Sequence, residues 1–143
     1  MRRRGFTLFE LASVLAILGA LAAVTVVSLA GFVRAGQAEE VHIHLRTLAA
    51  LQRAQPGGPV ACAPSPPAVP AAMAVPWVGS EGFRTIGFST GGPTRFQYSV
   101  EVPGPDGAAF VVRARGDLNG DGKTSLYELA ADQAELRIVD GLE

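Results

Sequence analysis

Asp117, Asn119, Asp121, Lys123, Ser125 and Glu128 fall at positions 1, 3, 5, 7, 9 and 12 of the run DLNGDGKTSLYE, with Gly122 at position 6. That is the ligand spacing of a calcium loop. Side-chain oxygens two residues apart converge across a tight glycine turn, a main-chain carbonyl contributes at position 7, and the last glutamate closes the shell with both oxygens. The spacing predicts Ca2+ as a cofactor. Position 8 is Thr124 where EF-hands usually carry an aliphatic residue, and a strand is expected to enter the loop, so the pattern is nearer to EF-hand-like loops found singly in exported proteins. The same residues support another reading. Asn119-Gly120 and Asp121-Gly122 are strong turn formers, and Ser125-x-x-Glu128 reads as a capping box opening a helix from Leu126 to Gln133.

The other chemistry-bearing residues are fewer. His42 and His44 lie two apart on an expected helix and point away from one another, which suits solvated side chains better than a metal pair. Cys62 is the single cysteine and cannot close an intramolecular disulfide, so it reads as a free or intermolecular thiol. No nucleophile–base pair, phosphate loop or cofactor fingerprint occurs, and the expectation is a protein that is not an enzyme. From Val60 onward six Arg/Lys stand against ten Asp/Glu, an acidic balance that argues against nucleic-acid binding.

Glu10 is the one charge in the 28 positions from Phe6 to Val33. At about 1.5 Å per residue a helix of that length exceeds the roughly 30 Å hydrocarbon core of a bilayer. Arg2, Arg3 and Arg4 precede it and should hold that end in the cytoplasm, which exports the rest. An ordinary signal peptide has a shorter, uncharged apolar region, whereas a carboxylate in such a run needs a partner.

The string RRRGFTLFELASVLAILGALAAV resembles the leader and mature start of type IV prepilins and type II secretion pseudopilins. The resemblance implies cutting by a prepilin peptidase after Gly5 and methylation of the new N-terminus at Phe6. It makes Glu10 the fifth mature residue, which in that family neutralises the N-terminal amine of a neighbouring subunit during assembly. Phe9 stands where the family often has isoleucine or valine, and a helix-kinking proline near mature position 22 is missing.

The elements that must position these residues follow along the chain. Residues 1–5 form the leader, 6–33 the transmembrane and filament-core helix, and 34–54 an amphipathic continuation with Ala38, Val41, Leu45 and Leu48 at spacings of three and four. Residues 55–76 contain seven prolines and two glycines, so neither helix nor central strand should persist there, and a surface loop is expected. Residues 77–143 make the head. Thr94–Val102 and Ala109–Arg115 alternate as half-buried strands joined by Pro103-Gly104-Pro105-Asp106-Gly107, with weaker strand candidates at Phe83–Ser89 and Glu135–Val139. The expected fold is α+β: a long helix packed on a small antiparallel sheet of three or four strands, the pilin fold.

The function this implies is a structural subunit, major or minor, of a type IV pilus. Its partners would be prepilin peptidase, other pilin subunits and the inner-membrane assembly machinery. The precursor would cross the bacterial inner membrane once with its N-terminus cytoplasmic, then enter an extracellular pilus or a periplasmic pseudopilus. The alternatives are a type II secretion pseudopilin and a membrane-tethered, calcium-dependent adhesion module.

Overall fold

The structure is a computed structural model; it describes residues 7–104, 109–133 and 135–140. The chain divides into two units, Met1–Gly36 and Gln37–Glu143. The leader with Gly5, and Phe6 after it, lie outside the described residues, as do residues 105–108 of the turn between the two main strand candidates.

Helix α1 runs from Leu8 to Arg53 and belongs to the first unit at its start. It contains no proline and is rich in alanine and leucine, so nothing interrupts the backbone ladder. The stretch Leu8–Thr25 has a mean hydropathy of 2.1 over 18 residues and is long and apolar enough to cross a membrane. Leu8, Leu11, Leu15, Leu18 and Leu21 are all exposed, as a lipid-facing surface requires. Its hydroxyls bond inward: Ser13 Oγ donates to the Phe9 carbonyl and Thr25 Oγ1 to that of Leu21, each at 2.8 Å. Such back-bonding satisfies groups for which hydrocarbon offers no partner.

In the second unit the end of α1 buries Ala38, Val41, Leu45, Leu48 and Ala49. Val41, Leu45, Leu48 and Ala49 share one core with the inner face of a five-stranded antiparallel meander in the order β1-β2-β3-β4-β5. Strand β1 is Cys62–Ser65, β2 Gln97–Glu101, β3 Val111–Gly116, β4 Ser125–Ala130 and β5 Arg137–Asp140. Tyr98 and Val100 on β2, Val112 and Ala114 on β3, and Tyr127 and Leu129 on β4 alternate inward and form the core with Phe83, Phe88, Phe96 and Phe110. The helix ends where Pro56 disfavours a helical Gln55. Beyond it the buried Gln52 side chain clamps Val60: its amide donates to the Val60 carbonyl at 2.9 Å and its oxygen accepts the Val60 amide at 2.7 Å.

The fold class is α+β, with three differences from the sequence reading. The sheet has five strands where three or four were expected, because β1 forms inside the proline-rich segment and β4 forms where a helix was expected. Strand β1 sits at the sheet edge, where Pro64 can lack a ladder donor. The segment expected as a strand at Phe83–Ser89 opens as a short helix, α2, Glu81–Thr85. Arg84 and Ile86 amides bond back to Ser80 and Gly82, and Gly87, with φ of 72°, turns the chain so that Phe83, Ile86 and Phe88 all enter the core. The helix expected from Leu126 to Gln133 is strand β4. Its alternation buries Ser125, Tyr127 and Leu129, and it is paired on both sides, by β3 and β5.

Gly82 lets α2 approach β1. A Cβ there would stand 2.4 Å from the Ala61 carbonyl oxygen and 3.0 Å from Cys62 Cα, both backbone atoms that cannot rotate away. Gly82→Ala is therefore expected to destabilise the full-length chain in detergent by about 1–3 kcal/mol in denaturant unfolding, the range of overpacked sites. Gly57→Ala, where a Cβ meets nothing within 4 Å, is the control. Its effect should stay within about 0.5 kcal/mol, and equal stability of the two variants would disprove the close approach.

Candidate functional site

The start of α1 is a capping box. Thr7, the residue before the helix, accepts the Glu10 amide on Oγ1 at 3.2 Å, while Glu10 Oε2 accepts both the Thr7 amide and the Thr7 hydroxyl at 2.8 Å. Two helix-start donors are satisfied reciprocally, and the carboxylate stands at the positive end of the helix dipole. Glu10 thus lies in the first turn of the candidate span, not at its middle. Thr7 went unread in the sequence although its signal, Thr-x-x-Glu at the head of an apolar run, was available.

The run from Asp117 to Glu128 divides. Asp117 is buried and its two oxygens accept the Gly120 and Gly122 amides at 2.6 and 3.0 Å. Asn119 Oδ1 accepts the Asp121 amide at 3.1 Å, and Asp121 Oδ1 accepts that of Lys123 at 2.8 Å. The Lys123 amide, followed by the Asn119 side-chain amide, holds the Asp121 carboxyl below its ordinary value. Gly120 and Gly122 take φ of 76° and 88°, conformations open to glycine.

Ser125 and Glu128 are not gathered into that turn. Ser125 opens β4 opposite Gly116, and Glu128 lies three residues further along, about 10 Å at strand rise. There Glu128 accepts Arg113 Nε at 2.6 Å, while Arg113 Nη1 also pairs with Glu101. Among the described residues no group of three His, Cys, Asp or Glu side chains is placed to hold a metal. The closing carboxylate of a calcium shell is therefore engaged elsewhere, and the six residues do not fit the ion in this arrangement.

Asp117→Ala is expected to destabilise the full-length chain by about 1–3 kcal/mol, because two amides lose a charged acceptor. The loss should be equal in millimolar calcium and in chelator. A rise in melting temperature with calcium that Asp117→Ala removes would reinstate the cation.

His44, expected to be solvated, is half-buried, with Nδ1 2.9 Å from the Tyr98 hydroxyl and 3.7 Å from Glu40. Burial pushes its imidazole below the ordinary value against the opposing pull of Glu40. His42 is half-buried with its ring edge-on to Tyr127, so the two histidines share no ligand position. Cys62 is buried at 2% exposure, and burial pushes its thiol up to about 11. In this fold it is a packing residue, closed to an intermolecular disulfide.

An apolar helix at the N-terminus of an α+β chain with an antiparallel sheet is the architecture of pilin-type proteins. Residues 1–26 match the family model of the prokaryotic N-terminal methylation motif, the segment at which type IV prepilins and pseudopilins are cleaved and methylated. No curated protein and no solved structure matches the chain. The motif implies processing by prepilin peptidase and assembly with pilin subunits in general.

Proposed function

We propose that the chain is a structural subunit, major or minor, of a type IV pilus. Prepilin peptidase cuts it between Gly5 and Phe6, and the inner-membrane assembly machinery moves the mature chain into an extracellular filament. The observation that carries the reading is the methylation motif over residues 1–26, overlapping and continuous with an apolar run, Phe6 to Val33, whose one charge is Glu10. Before cleavage Arg2 to Arg4 keep the N-terminus cytoplasmic. After cleavage the helix leaves lipid for the filament core, and Glu10 supplies the counter-charge to a neighbour's Phe6 amine, since an amine in apolar surroundings is stable only when paired. The work is done by packing and by one charge pair, and the chain catalyses no reaction.

The test is the mass of the N-terminal peptide from sheared surface filaments, expected to begin at Phe6 with a methyl group on its amine. A peptide retaining Met1 or Arg2 would overturn the proposal. Recovery of the methylated chain from the periplasm, and never from surface filaments, would reassign it to a pseudopilus.

A further inference from the structure

A groove of about 320 Å³ lies in the second unit between the last turns of α1 and the end of β4, lined by Arg46, Arg53, Leu129, Ala131, Asp132 and Gln133. The two arginines are seven residues apart, so they share one helix face at a separation of about 10.5 Å along the axis. Their roles differ. Arg53 is held, with Nη2 donating to the Ala131 carbonyl at 3.0 Å and its guanidinium 5.9 Å from the centre of the Phe110 ring. Arg46 is exposed and has no hydrogen-bond or ion-pair partner among the described residues. A fixed wall thus stands beside a free planar donor fork, and a carboxylate is the group such a fork binds best, through two parallel N–H···O bonds.

We propose that this groove receives an acidic segment of a second copy of the same chain, with a carboxylate seated on Arg46. Charge complementarity selects the occupant: from Val60 onward ten acidic residues outnumber six basic ones, and of those six Arg113 is already paired within the sheet. Glu81 and Glu135 are exposed carboxylates without an ion pair among the described residues. Asp132 also lines the groove and repels a second acid, so the docking carboxylate depends on Arg46 for its counter-charge. The inference rests on the filament reading, which brings many copies of the chain together.

The experiment places a photo-crosslinking residue at Gln133 of the full-length chain in producing cells. The expected product is a light-dependent dimer of the chain whose crosslinked peptide contains Glu81 or Glu135. Arg46→Glu should lower dimer yield at least about fivefold, and adding Glu81→Arg or Glu135→Arg should restore it, as exchanged charges restore a pair. A yield unchanged by Arg46→Glu would overturn the proposal, as would crosslinks only to lipid or to an unrelated protein. Methylated filaments without the dimer would sink this inference alone, whereas an uncut precursor would sink the filament reading. The crosslink is scored in the membrane in either case.

Discussion

Gly5→Val is expected to leave the chain as an uncut, unmethylated precursor in the membrane. On the proposed reading the scissile bond joins Gly5 to Phe6, both within the matched motif. Glycine has no Cβ, so backbone on that side of the bond can lie close against a peptidase cleft and adopt conformations that a β-branched residue resists. Valine adds a β-branched side chain of three carbons there, while the three arginines and the apolar run are untouched. Insertion should therefore be normal and maturation absent, and because no mature chain forms, none should reach a filament. Mass spectrometry of the membrane fraction reads the outcome directly. A mature N-terminus at Phe6 in the variant would show that this bond is not selected by its glycine.

Glu10→Gln is expected to be inserted and cut normally, yet to enter filaments at least about tenfold less than the unaltered chain, the consequence of an unpaired charge worth about 1.4 kcal/mol or more. The capping box makes glutamine the informative substitution. Its side-chain oxygen can still accept the Thr7 amide that Glu10 Oε2 accepts at 2.8 Å, so the helix start survives while the charge is removed. Glu10→Ala removes both and should fail as badly or worse. The measured quantity is the fraction of mature chain in sheared filaments relative to the membrane. Normal incorporation of Glu10→Gln beside failure of Glu10→Ala would make Glu10 a helix cap and nothing more. Position also bears on insertion. A carboxylate in the first turn of the span is near the interface and at the positive helix end, so its removal should ease insertion by less than the roughly 2.5–3.5 kcal/mol of a mid-membrane acid.

Much of the architecture was legible where the pattern is long and local. The apolar run after Thr7 forms a helix because unbroken alanine and leucine need no distant partner to complete their hydrogen bonds. Ala38, Val41, Leu45 and Leu48 bury the stripe their spacing draws, and Tyr98, Val100, Val112 and Ala114 bury the alternate positions of β2 and β3. Apart from the Thr7 cap, what went unread lies in short segments with weak preferences. Cys62–Ser65 is a strand because Cys62 and Ser65 meet Val100 and Tyr98, more than thirty residues later. Glu81–Thr85 is a helix too short for its period to show. His44 is half-buried because Tyr98, far along the chain, presents a hydroxyl to it.

The pattern Ser/Thr-x-x-Glu occurs twice and states the division plainly. At Thr7-Leu8-Phe9-Glu10 it is a capping box, and the sequence by itself determined that, because a long apolar helix follows and its first amides need acceptors. At Ser125-Leu126-Tyr127-Glu128 the same letters begin a strand. An isolated helix of some eight residues is marginal in water. Between β3 and β5 the segment instead pairs its backbone on both sides, buries Tyr127 and Leu129, and brings Glu128 to Arg113. Those partners are remote in sequence, so only the tertiary structure could decide that Glu128 closes an ion pair with Arg113 on the sheet.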